Sequence, residues 1–346
     1  MCQRTDARAV RVQIASTARK VPAITKTLTK AKRPLDPGQA SSEGRSVGRL
    51  CASRRWFRNV PALCATAVVV SASALPVSAQ TRADRLERGR YLVETIGVCG
   101  HCHTPQKLHE GRQVDLPGMH LAGGYGFDNP VLGRWVGANI TSDPETGIGS
   151  WTEGQIATAI REGKRPDGST IGPPMPFAHL RKISDADVSA MATYLKSVPS
   201  VRHAVERPSY RITLPANWGP PVSGQAGPPD GDPTLRGAYL AEVGHCMDCH
   251  TPNRPGGGGR DWSRTGAGGR PTTGLAGPVM APNVTPHPEQ GIGKWTDQQI
   301  VRAITEGVSA DGRRLLPPMP FANYAKMAAS DLADLVAYLR SLPAQP

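Results

Sequence analysis

At 346 residues the chain is long enough for two ordinary domains. Its formal charge of +13 would suggest a polyanionic partner, but fourteen of the 41 Lys and Arg and only three of the 28 Asp and Glu precede residue 80, so +11 of that excess sits in the first 79 residues. The remaining +2 excludes a nucleic-acid-binding reading, and with 38% hydrophobic and 5% aromatic residues the chain is poor in core-forming material, so a bound apolar group is expected to make up part of the deficit.

Residues 1–50 show no apolar periodicity. Arg54, Arg55 and Arg58 then precede an apolar stretch from about Val60 to Val77 that ends in Val77-Ser78-Ala79. Basic, apolar and small residues in that order are the layout of a secretory signal peptide. No Met lies between Met1 and Met119, which puts the expected translation start near Val47 or Leu50 at a non-standard start codon. On that reading 1–46 is an extension and 47–79 the signal peptide of a leader spanning 1–79. Ser53-Arg54-Arg55-Trp56-Phe57 also resembles a twin-arginine export signal. An uncleaved leader would instead anchor the chain in a membrane, but Pro61, Ser71, Ser73 and Pro76 interrupt the apolar run. The expected location is the periplasm, with membrane association only through an uncleaved leader or a partner subunit.

From Thr81 onward the chain reads as two copies of one unit. Arg88-Gly89-Arg90-Tyr91-Leu92 matches Arg236-Gly237-Ala238-Tyr239-Leu240. Further on, at a constant offset of 144, Asn139-Ile140-Thr141 matches Asn283-Val284-Thr285, Gly147-Ile148-Gly149-Ser150-Trp151 matches Gly291-Ile292-Gly293-Lys294-Trp295, and Pro173-Pro174-Met175-Pro176-Phe177 matches Pro317-Pro318-Met319-Pro320-Phe321. A period this long is a duplicated domain rather than a solenoid repeat. Each copy predicts three helices. The first runs over about Ala83–Ile96. The second starts at Thr152 or Thr296, where Gln155 or Gln299 completes a capping box, and stops at Gly163 or Gly307. The third covers about Asp185–Lys196 or Ser330–Arg340 and is ended by Pro199 or Pro343. No strand is expected. Six prolines over residues 203–232 mark an extended linker between a domain at 80–202 and another at 233–346.

Each copy carries one pentapeptide with unusual chemistry, Cys99-Gly100-His101-Cys102-His103 and Cys246-Met247-Asp248-Cys249-His250. Two thiols three positions apart followed by an imidazole form the attachment signature of haem c: each thiol adds across a porphyrin vinyl group, and the adjacent His lies under the iron. Two rival readings exist. Cys-Gly-His-Cys is also the tetrad of disulfide isomerases, though the second copy does not preserve it. Two Cys-x-x-Cys pairs would also make one zinc site, which gives His103, His250 and the duplicated Met loops no role.

A Cys-x-x-Cys-His after a Gly/Tyr helix, a Met in a Pro-rich loop and a C-terminal helix ending in Tyr-Leu resemble the class I cytochrome c domain. Two in tandem, with the three shared signatures, resemble the cytochrome c subunits of periplasmic alcohol, aldehyde and related dehydrogenases over about residues 83–346. Those subunits often carry three haems, and the two motifs here match the shorter dihaem relatives. The resemblance implies an all-α fold of two cytochrome c-like domains, each wrapping a covalently attached haem. Cys99, Cys102, Cys246 and Cys249 would attach two haem c groups, with His103 and His250 as proximal ligands. Met175 and Met319, which follow those histidines by 72 and 69 residues, would be the distal ligands. His109, His120, His179, His203, His245 and His287 compete for that role but do not recur at equivalent positions. Trp151, Trp295, Asn139 and Asn283 are candidate propionate contacts, with a core or turn role as the alternative. Tyr91 with Tyr194, and Tyr239 with Tyr338, are expected where the first and last helices cross. The implied function is electron transfer rather than catalysis, from a periplasmic dehydrogenase to an oxidase or small cytochrome. The alternative is a dihaem redox enzyme of the peroxidase or thiosulfate dehydrogenase type, which needs an open iron position or a Cys ligand.

Overall fold

The computed structural model describes residues 81–346 apart from Gly111, Pro229, Leu275 and Ala276. The leader, with its expected start and cleavage site, lies outside the described residues.

Helix α1 (Arg82–Tyr91) opens on Thr81, whose hydroxyl accepts from Asp84 N–H while the Asp84 carboxylate accepts from Thr81 N–H. The helix then widens into a π-helical turn, Leu92–Ile96, where its counterpart α6 (Pro233–Val243) has none. Residue count explains the difference. Gly89 and Gly237 are 148 apart but Cys99 and Cys246 only 147, so the first copy has one extra residue before its first Cys. A π turn absorbs it without breaking the helix.

Helix α5 (Asp185–Ser197) packs across α1, and α10 (Ala329–Ser341) packs across α6. Gly89 and Gly237 stand at these crossings, where a Cβ would overlap the carbonyl of Ala190 or of Asp334. Only glycine permits so close an approach. Helices α3 (Glu153–Glu162) and α8 (Asp297–Glu306) begin and end as expected, with complete capping boxes at Thr152 and Thr296 and left-handed Gly163 and Gly307 at their C-termini. One-turn helices α2 (Gly100–His103), α4 (Phe177–Leu180), α7 (Cys246–His250) and α9 (Phe321–Tyr324) and a 3-10 turn at Trp262–Arg264 complete the set among the described residues.

The core draws on both copies, with Leu92, Ile96, Leu121, Ile183 and Met191 from the first and Val243, Leu335 and Leu339 from the second in one apolar cluster. The two copies belong to one compact unit.

The all-α expectation needs correction. Strands β1 (Gln106–His109) and β2 (Arg112–Asp115) form an antiparallel hairpin, as do β6 (Pro271–Gly274) and β7 (Gly277–Met280). Strands β3 (Gly126–Asn129), β4 (Gly133–Val136) and β5 (Ser209–Tyr210) make a small sheet in the order β3-β4-β5. None exceeds four residues, too short for an alternating pattern to register, and Lys107, Leu108 and His109 are all exposed, so β1 shows no alternation at all. Strand β5 also shows that the 203–232 stretch is more than a connection, because it pairs with β4 of the first copy.

Candidate functional site

Both Cys-x-x-Cys-His segments are entered through a left-handed residue, Val98 at φ 48° and His245 at φ 44°. That conformation costs a non-glycine residue about 1 kcal/mol. It turns the chain so that the pentapeptide occupies one helical turn, with Cys99 at the N-cap of α2 and Cys246 opening α7. Thiols three apart on such a turn lie on one side. All four are free. Burial pushes Cys99 and Cys246 up to about 12 and Cys102 up to about 11, and raises Cys249 as well. Neutral thiols are the opposite of the acidic thiolate that disulfide exchange uses, which argues against the isomerase reading. Among the described residues no three His, Cys, Asp or Glu gather as a metal-ion site, so the four-thiolate zinc reading also lacks its geometry.

His103 Nδ1 lies 2.8 Å from the Ala138 carbonyl oxygen, and His250 Nδ1 lies 2.8 Å from that of Pro282. A carbonyl only accepts, so the ring proton sits on Nδ1 and the Nε2 lone pair is left for a metal. Burial lowers the pKa of both imidazoles and favours the neutral, ligating form. Two sulfurs and a neutral imidazole on one turn form a donor set that fits haem c, and the chain builds it twice.

Met175 lies between α3 and α4 and Met319 between α8 and α9, each half-buried against the apolar cluster. The loops share one conformation: Pro173–Pro174 and Pro317–Pro318 are both cis, and Phe177 N–H and Phe321 N–H donate to the carbonyls of Met175 and Met319 at 3.0 Å. Four of the six competing imidazoles have other work. His120 bonds Glu94 at 2.9 Å, His179 bonds Glu242 at 2.6 Å, His203 Nδ1 donates to Ala122 O at 2.9 Å, and His287 accepts from Glu289 N–H and Gln290 N–H.

The signature Asn and Trp residues are tied into the scaffold. The Asn139 amide donates to Val201 O at 2.8 Å and its oxygen accepts from Thr141 N–H and hydroxyl. Asn283 does the same with Gln345 O at 2.7 Å and Thr285. Each thus clasps the tail after the last helix, as its alternative turn role expects. The backbone carbonyls of Trp151 and Trp295 are held by Lys196 and Arg340, while their indoles pack half-buried on the core.

Sequence reasoning missed the seam between the copies. The Tyr91 phenol donates to Asp331 at 2.7 Å and accepts from Ala328 N–H, and the Tyr239 phenol donates to Asp187 at 2.7 Å and accepts from Ser184 N–H. So the first tyrosine of each copy reaches across to the other, correcting the expectation of pairs within a copy. Only Tyr194 and Tyr338 sit at the crossings, beside Gly89 and Gly237. A methyl on Gly244 would lie 3.3 Å from Ile96 O, and one on Gly97 would lie 3.8 Å from Val243 O. These reciprocal contacts relate the copies by a pseudo-twofold axis, and the turns that lead into the two Cys-x-x-Cys-His segments meet beside it. Matched tyrosines at equivalent positions carried the signal in the sequence, without saying in which copy their partners lay.

Comparison with known proteins agrees with this geometry. The cytochrome c family model matches residues 234–343. The diheme cytochrome c-type protein of Cereibacter sphaeroides is 30% identical over 264 residues, covering 72% of this chain and 83% of that protein. The chain belongs to the cytochrome c family. Covalently bound haem c comes with that membership. This cytochrome is also 31% identical over 323 residues to a nicotinate dehydrogenase component of Pseudomonas putida, and 30% identical over 316 residues to the fructose dehydrogenase cytochrome subunit of Gluconobacter japonicus. The matches cover 85% and 84% of this chain but only 25% and 61% of those relatives. No helix among the described residues is long and apolar enough to cross a membrane.

Proposed function

We propose that this cytochrome binds two haem c groups, one per copy, and relays electrons from a partner dehydrogenase to a respiratory acceptor in the periplasm. On this reading residues 80–202 and 233–346 are each a cytochrome c domain. Cys99 and Cys102, and Cys246 and Cys249, attach the haems, His103 and His250 are the proximal ligands, and Met175 and Met319 are the distal ones. When bound, each haem supplies a one-electron ferric/ferrous couple.

The chain's own residues do the rest. The carbonyls of Ala138 and Pro282 hold the imidazole tautomer that presents Nε2. Met175 and Met319 pack half-buried against the apolar cluster, and a neutral thioether there favours the ferrous state. The observation that carries the reading is the meeting of the two Cys-x-x-Cys-His turns at Ile96-Gly97 and Val243-Gly244. Two attachment turns so close belong to a relay rather than to two independent carriers. The dehydrogenase donor is supported by the names of the relatives, which are dehydrogenase subunits.

The test is spectroscopic. The pyridine haemochrome of the purified protein should give two haems per chain. The ferric form should show two low-spin centres with a methionine–sulfur charge-transfer band, and Met175→Ala and Met319→Ala should each remove half of that band. A persistent high-spin fraction in the unmutated protein would favour the redox-enzyme alternative, and a band untouched by either substitution would overturn the ligand assignment.

A further inference from the structure

The two methionine loops have the same conformation but different neighbours. In the first copy the segment after α5 doubles back over the loop. The Tyr210 ring lies where a Cβ on Gly172 would be, and its phenol donates to Pro173 O at 2.9 Å. Trp218 stacks on Phe177 with ring centroids 5.7 Å apart and planes at 24°, and its Nε1–H donates to Ile171 O at 2.8 Å. The segment is itself fastened, since Arg181 donates to Trp218 O at 2.8 Å and to Pro220 O at 2.6 Å, and the Glu162 carboxylate accepts from Val222 N–H at 3.0 Å. Met175 is thus bracketed by held carbonyls at Ile171 and Pro173 and by a covered ring at Phe177.

The second copy is not built to take such a strap. At the same offset of 144, Gly172, where any Cβ would meet the Tyr210 ring, becomes Leu316, and Arg181 becomes Ala325, which removes the fastening. Leu316 is 63% exposed, and Phe321 is half-buried where Phe177 is 4% exposed. This difference lies in the loop and its surround, whatever chain follows.

We propose that residues 203–222 clamp the first methionine loop, with Tyr210 and Trp218 as positioning residues for Met175, and that the unclamped Met319 loop is the one that yields its iron position to an added ligand. The proposal rests on the reading that both methionines are ligands. It makes the two irons unequal: one stays six-coordinate, and the other opens to a small neutral base such as imidazole.

Imidazole titration of the ferric holoprotein tests it. Half of the methionine–sulfur band should disappear first, and the other half should need at least about tenfold more imidazole, because two hydrogen bonds and a ring stack must also be given up. Met319→Ala should leave only the later step. Trp218→Ala should move the later step toward the earlier one, and the milder Tyr210→Phe, which keeps the ring and loses only the phenol bond, should do so in part. Deuterium exchange of the same holoprotein gives a readout independent of the iron: the amides of residues 171–177 should exchange more slowly than those of 315–321, and Trp218→Ala should speed only the first set. A single imidazole step together with equal exchange in the two loops overturns the clamp. A missing sulfur band with slower exchange in the first loop overturns the ligand assignment and supports the clamp.

Discussion

The first copy spans residues 81–202 and is overlaid by the segment that follows it, whereas the second, from Pro233 onward, presents the same motifs with no such strap over its methionine loop among the described residues. Both place Cys-x-x-Cys-His on one turn behind a left-handed residue, both fix the His tautomer with a backbone carbonyl at 2.8 Å, and both cross their first and last helices over a glycine. What differs is the surround: a π turn against a plain helix, Gly172 against Leu316, Arg181 against Ala325. The Cys, His and Met of the motifs and the glycines at the helix crossings are the same in both copies, while other residues around them have diverged, Gly137 against Ala281 among them. Duplicated chemistry in one chain thus need not mean duplicated behaviour.

The largest expected effect tests what the copies share. Gly89→Leu and Gly237→Leu should each cost about 3 kcal/mol, the upper end of overpacking, because the new side chain overlaps a carbonyl of the opposing helix. Urea unfolding of the holoprotein should show similar losses for the two. A loss confined to one copy would mean that the crossings are not equivalent.

The seam tyrosines sharpen the comparison. Tyr91→Phe should cost about 2 kcal/mol, since Asp331 then has no other side-chain partner among the described residues. Tyr239→Phe should cost about 1 kcal/mol, because Asp187 keeps the fork from Arg88 at 2.8 and 2.8 Å. The same denaturation experiment reads both, and an equal or reversed order would show that the Arg88 pair does not compensate.

The smallest effect is one of pH. Burial would raise Glu242, but hydrogen bonds from His179 and Lys182 outweigh it and hold the carboxyl below its usual 4.5. Glu94 is likewise held down against burial, by His120 and Tyr194. A depressed folded value means that the stabilisation is present above the usual carboxyl value and is lost as pH falls through the lower, folded one. The urea midpoint should therefore drop on acidification below about pH 4.5, and part of that drop should vanish in Glu242→Gln. An identical pH profile for variant and parent would remove Glu242 from the seam's acid sensitivity. Its counterpart Glu94 is also engaged at its backbone, where its carbonyl accepts from Asn323 at 2.8 Å, so the two carboxylates do not stand in equivalent networks.

Much of this was legible in the residues. The pentapeptides, the capping boxes at Thr152 and Thr296 and the glycine stops of α3 and α8 are local, needing only spacing and side-chain type. The strands were not legible, because four residues with an exposed face carry no periodic signal. The hydrogen-bond partners of Asn139 and Asn283 were not legible for a different reason: an amide's partner is decided by which chain segment returns beside it, and here that is the tail after the last helix of each copy.

The sequence by itself determined that the chain holds a duplicated unit with a Cys-x-x-Cys-His pentapeptide and a matched methionine loop in each copy, because those features follow from residue type and distance along the chain. Only the tertiary structure decided that the copies meet through crossed Tyr–Asp bonds, that their Cys-x-x-Cys-His turns abut, and that among the described residues only the first methionine loop is strapped by the segment after α5. These are contacts between residues 37 to 240 positions apart in the chain. No local propensity specifies them; they follow from how the helices and the returning segment pack.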